Sequence, residues 1–206
     1  MPRPTKAPSK GRSDDDKPQI VVESQGQLRA WLLEHHADST GVWVVTTKRA
    51  AGGTVTWTDI VEEALCFGWI DSLPRALDET RTMLRLTPRR AASGWSARNK
   101  GLVEGLLRQG LMHASGIAAV DAAKARGTWT VLDTASALVI PDDLAAALAD
   151  APPARAHFDA FPTSSRRGIL EWLSLARRPA TRASRIAEIA RLARENKRAN
   201  SWPREG

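Results

Sequence analysis

The sequence predicts an α+β fold: a small antiparallel sheet packed by helices, followed by a helical C-terminal subdomain. Two observations carry this. Short β-branched or alternating runs at residues 42–47, 69–77 and 80–86 all lie in the first half. Apolar spacings of i, i+3, i+4 dominate the second half, where prolines punctuate successive helical segments. The expected organisation is a polar tail over 1–19, an α+β domain over 20–137, a helical subdomain over 138–198 and a short tail over 199–206.

The first 18 residues are rich in Pro, Ser and charge with almost no apolar content, so they are expected to lack order. Residues 24–36 read as a helix, with Leu28, Trp31 and Leu32 on one face. Residues 42–47 (VWVVTT) read as a strand, Ala51-Gly52-Gly53 as a turn and residues 54–57 as a short returning strand. Asp59, with Glu62 three residues later, reads as a capping box for a helix that Gly68 ends. Residues 69–77 and 80–86 then form a hairpin. Ser96 caps a helix with Leu102, Val103, Leu106 and Leu107 inward, closed by Gly110. Ser115 caps another, closed by Gly127. Helices over 141–150, 153–160, 164–177 and 180–196 complete the chain.

Composition bounds the function. Trp is abundant, with 8 against 3 Phe and no Tyr, so indoles with N–H groups to satisfy build the core. The single cysteine, Cys66, excludes an intrachain disulfide. It falls in the last turn of its helix near Glu62 and Glu63, which opposes a thiolate and reads as a packed core thiol. No apolar segment follows the basic N-terminus, and no run of about 18 apolar residues occurs. The expected location is cytoplasmic, with no membrane span. The net charge of +7 comes entirely from residues 151–206, with 12 basic and 5 acidic side chains. Attraction for anionic partners should start there.

No HExxH, CxxC or paired-histidine spacing marks a metal site, and His35 and His36 point to different helix faces. Phosphate-binding glycine loops and GxSxG are absent. No metal and no cofactor are therefore expected.

Three polar groups stand out. In the predicted hairpin, Asp71 faces Leu86 and Leu73 faces Leu84, so Asp71 joins Trp69, Leu73, Leu77, Leu84 and Leu86 on one face. A carboxylate there is either a pocket acid or an anchor for a Trp N–H or an Arg. In the last helix, Arg182 shares an arc with Ile186, Ile189 and Ala193, and Arg185 lies at its edge. Both need an acceptor, for which Asp71 and a bound anion are candidates. Finally, Arg89, Trp95, Ser96 and Asn99 lie on a donor-rich path from a strand end to a helix start, which reads as an anion site or as a capped loop with a Trp lid. Asp71, Arg89, Trp95, Ser96, Asn99, Arg182 and Arg185 form the candidate ligand-binding set. No catalytic residue emerges.

The block Glu63-Ala64-Leu65-Cys66-Phe67-Gly68-Trp69-Ile70-Asp71-Ser72 resembles the signature of the YdeI/OmpD-associated family, also called bacteriocin-protection proteins. Gly41-Val42-Trp43, Leu86-Thr87-Pro88-Arg89, Ser93-Gly94-Trp95-Ser96 and Asn99 fit as well. So do Pro141-Asp142-Asp143-Leu144, Phe158, Ser165-Arg166-Arg167, Trp172 and Thr181-Arg182 with Arg185-Ile186. The resemblance spans roughly residues 25–197. It implies resistance to envelope-directed antimicrobial agents and a proposed porin association, and it supplies no catalytic residues or cofactor. The family has been described as periplasmic. This chain departs from that in lacking a signal-like N-terminus, which argues against direct porin contact.

The expectation is thus a non-enzymatic protein of antimicrobial or envelope-stress resistance that binds a small anionic ligand or an acidic protein. Two alternatives stand beside it. One is an enzyme using Asp71 as acid or base. The other is a nucleic-acid binder working through the Arg-rich C-terminal helices, although no recognition pattern accompanies their charge.

Overall fold

A computed structural model describes residues 17–200. Expectations for residues 1–16 and 201–206 lie outside the described residues. The chain divides into two compact units. Among the described residues, one holds 17–90 together with Gly105–Ala119; the other holds Ala91–Glu104 and 120–200.

The first unit begins with β1 (Gln19–Val21), α1 (Gln25–His35), β2 (Val42–Thr47), α2 (Trp57–Cys66), β3 (Trp69–Ala76) and β4 (Arg81–Pro88). The strands form one sheet in the order β1-β2-β4-β3. The expected antiparallel hairpin and its pairing to β2 are present. β1 was not anticipated: three residues are too few for a legible alternation. It pairs in parallel with β2, which makes the sheet mixed. As a central strand, β2 is buried on both faces from Val42 to Val45, hence its continuous apolar run.

The hairpin register departs from expectation at one point. Asp71 does face Leu86, but Pro74, not Leu73, faces Leu84, because a bulge separates Asp71 from Pro74. Pro74 has no N–H for the ladder, and β3 is an edge strand where such a break is tolerated. The extra residue turns Leu73 to the opposite face, where it packs with Trp43, Val45 and Met83. Leu77 lies beyond β3 and is exposed.

Residues 54–57 are not a strand. Thr56 caps α2: its Oγ1 accepts from the Asp59 N–H (3.2 Å), and the Asp59 carboxylate accepts from the Thr56 N–H (2.7 Å). The capping box thus sits three residues earlier than expected, with Asp59 as its acidic member rather than its cap. Thr56→Ala is expected to cost about 1 kcal/mol in urea denaturation, and Thr56→Ser far less. α1 packs on α2, and α2 on β3. The face of α2 so covered includes Ile60, Val61, Ala64 and Leu65, all nearly solvent-free.

α3 (Ala97–Arg108) and α4 (Ala114–Ala125) each divide between the units. Gly110 and Gly127, at φ +68° and +70°, end them as predicted. In α3 Val103 and Leu106 are buried, whereas Leu107, expected inward, is 42% exposed. Ser115 does not cap α4. It lies inside the first turn, and its N–H donates to the His113 ring at 3.3 Å while its hydroxyl donates to the Phe67 carbonyl at 3.1 Å.

The second unit continues with α5 (Asp133–Ser136), α6 (Asp142–Ala149), α7 (Ala154–Ala160), α8 (Thr163–Ser174) and α9 (Pro179–Arg194). The last four match the predicted succession; α5 is a single turn with no period to read. Leu144, Leu148, Phe158, Ile169, Leu170, Leu173 and Ile189 form its core. Among the described residues, no helix is long and apolar enough to cross a membrane.

Candidate functional site

The connection from β2 to α2 builds a concave site in the first unit. After β2 the chain makes a single 3-10 turn at Arg49–Ala51 and reverses at Gly52, whose φ of +88° suits glycine. Gly53 follows so tightly that a Cβ there would sit 1.9 Å from the Thr47 carbonyl oxygen. Lys48 closes the far side by donating from Nζ to the carbonyls of Asp78 (2.7 Å) and Glu79 (3.2 Å) in the hairpin loop. Asp78 braces that loop: its carboxylate accepts from the Thr80 and Arg81 N–H groups and from Arg81 Nε. The Arg81 bond, then the N–H donors, hold the carboxyl well below the usual range.

Between the end of β2, β4 and the first turn of α2 lies a cavity of about 220 Å³. Trp57, Ile60, Met83 and Leu84 supply its apolar walls, and Thr46 and Arg49 its polar rim. Trp57 is the first residue of α2 and 42% exposed, which is unusual for an indole. Its orientation is held by Asp71, which accepts from Trp57 Nε1 at 3.2 Å. Arg49 is exposed and has no ion-pair partner among the described residues. A second cavity of about 250 Å³ adjoins the first, lined by Glu23, the glycine turn and Thr54, and the two share Thr47 and Val55.

Of the residues singled out in the sequence, Asp71 and Arg89 fall in this unit. Asp71 is half-buried and anchors an indole N–H, one of the contacts weighed for it. Arg89 follows β4, and its N–H donates to the Gly68 carbonyl at 3.0 Å. Burial pulls its guanidinium down to about 10 against the opposing field of Asp71, so it stays charged at neutral pH.

The other five fall in the helical unit, each with local company. Trp95 is fully buried, its ring 5.0 Å from that of Trp129. Ser96 caps α3, accepting from the Asn99 N–H at 3.2 Å. Arg182 grips Asp143 with two bonds of 2.6 and 2.8 Å, so its acceptor is Asp143, not Asp71. Arg185 donates to the Trp172 carbonyl and lies over that indole at 4.6 Å. Cys66 is fully buried, and burial followed by the Glu63 charge pushes its thiol up.

Sequence reasoning missed two features. Trp57 and Arg49 were hidden because residues 54–57 read as a strand; Thr56-x-x-Asp59 was the available signal. The second is a buried pair. Glu63 is 6% exposed, and its carboxylate accepts from Arg29 at 3.0 Å, while Arg29 also donates to the Leu111 carbonyl at 2.7 Å. No spacing rule connects residues 34 apart. No group of three or more His, Cys, Asp or Glu side chains suited to a metal occurs among the described residues.

Fold and site together define a two-unit α+β protein whose sheet unit carries a small cavity beside an exposed tryptophan. Residues 20–119, nearly the whole of that unit, match the model of a domain of unknown function, DUF8412. Residues 137–196, spanning α6 to α9, match the model of the family described as bacteriocin-protection, YdeI or OmpD-associated, over less than a third of the chain. The ten-residue signature at 63–72 lies within the first match and the C-terminal block within the second. No curated protein and no solved structure matches the chain.

Proposed function

We propose that this protein is a binding protein, not an enzyme, that takes a small anionic ligand with an apolar body and acts in protection against bacteriocins or other envelope-directed agents. The protective role is inferred from the family description of its C-terminal domain. The observation that carries the ligand reading is the cavity at the start of α2, where an apolar wall meets one exposed cation, Arg49. Apolar enclosure with a single orienting charge is the usual composition of small-molecule sites. In this reading Asp71 and Arg89 keep Trp57 in place, and Trp57 lids the ligand.

Phenylacetate is a suitable probe, followed by calorimetry and by quenching of the exposed indole. Saturable binding is expected, weakened about tenfold in Arg49→Gln, a loss of about 1.4 kcal/mol. Trp57→Ala should remove it. Asp71→Asn should lower affinity more than stability, since Asp71 is only half-buried. Absence of saturable binding in the wild-type protein rejects the reading.

A further inference from the structure

The two adjoining cavities differ in character, and that difference narrows the ligand class. Each alone is smaller than the roughly 300 Å³ at which ligand pockets ordinarily begin. Thr47 and Val55 line both, so the two cavities are immediate neighbours. The cavity under Trp57 is walled by Ile60, Met83 and Leu84 and carries Arg49. Its neighbour is walled by the backbone of Gly52 and Gly53 and by Thr54, and it carries Glu23.

The backbone of Glu23 is committed. Its N–H donates to Gln27 Oε1 at 2.6 Å, and its carbonyl accepts from the Thr54 hydroxyl at 3.3 Å. Its side chain is exposed and has no hydrogen-bond or ion-pair partner among the described residues. Arg49 is likewise without one, and the two do not pair with each other. The other cation nearby, Lys48, is spent on the hairpin carbonyls. The two neighbouring cavities are thus lined by one cation and one anion without a partner among the described residues, beside apolar walls.

We propose that the ligand is a zwitterion of amino-acid type with an apolar side chain. Its side chain lies under Trp57, its carboxylate meets Arg49, and its ammonium reaches toward Glu23. This rests on the anionic-ligand reading above and adds the second charge. A neutral ligand leaves both of these side chains unanswered and a singly charged one leaves one, whereas the zwitterion forms a charge-assisted contact with each.

The test compares three probes that share a benzyl group: phenylalanine, phenylacetate and phenethylamine. Each is titrated by calorimetry into the full-length protein, its Glu23→Gln variant and its Arg49→Gln variant. Both substituted residues are exposed, and unchanged thermal midpoints confirm folding. Phenylalanine should bind the wild type at least tenfold more tightly than either other probe. Glu23→Gln should bring phenylalanine down to the affinity of phenylacetate while leaving phenylacetate unchanged. Arg49→Gln should weaken phenylalanine and phenylacetate alike. Equal binding of phenylalanine and phenylacetate to the wild type overturns the zwitterion and leaves the anionic reading standing. Phenethylamine as the tightest probe, or no saturable binding of any probe, overturns both.

Discussion

Gly116→Ala should destabilise the sheet unit by about 3 kcal/mol or more, and a failure to accumulate folded protein is the extreme of the same outcome. A Cβ at this position would lie 2.1 Å from the Cys66 carbonyl oxygen and 2.7 Å from its carbon. Those are backbone atoms at the end of α2, so no rotamer change relieves the overlap; α4 and the end of α2 would have to part. Gly168→Ala, at a helical position with nothing within 4 Å, is the matched control. It should stabilise by about 0.5–1 kcal/mol through helix propensity alone. Urea denaturation of the two variants reads both effects. A mild cost for Gly116→Ala, comparable to an ordinary surface change, would mean that α4 does not press on α2 this closely.

Arg29→Ala is the second large effect, expected at about 3 kcal/mol, the lower end for breaking a buried pair because Arg29 itself is about a third exposed. The loss comes mostly from what stays behind, a Glu63 carboxylate that is 7% exposed along its side chain. Adding Glu63→Gln to Arg29→Ala should restore much of it, since a neutral amide carries a smaller desolvation penalty.

The same pair sets a pH dependence. Burial raises the Glu63 carboxyl above its usual range, outweighing the pull of the Arg29 guanidinium. A group whose folded pKa is raised binds protons more tightly when folded. Its contribution to stability is therefore complete below the unfolded carboxylate value of about 4.3 and declines as pH rises through the folded value. Glu63→Gln should flatten that part of the stability–pH curve, and Arg29→Ala should steepen it. A wild-type curve and a Glu63→Gln curve that run parallel above the unfolded value would count against this assignment.

The sequence by itself determined the fold class, the hairpin, the helical succession of the C-terminal part and the glycines that end three helices. These are local: β-branched alternation, a period of 3.6 and glycines at positive φ act over a few residues. It also marked Asp71 as a carboxylate that needs a donor, and the donor is an indole N–H. Only the tertiary structure decided which residues meet. A proline-bearing edge strand absorbed one extra residue and turned Leu73 to the other face, which no alternation count reveals. Arg182 found Asp143, 39 residues away, and Glu63 found Arg29. The cavity beside Trp57 arises where two strands, the connection after β2 and a helix start come together, and each contributes side chains with no local signature. Local energetics act along the chain, whereas a site is made by chain segments brought together from afar, and that closure is settled by packing.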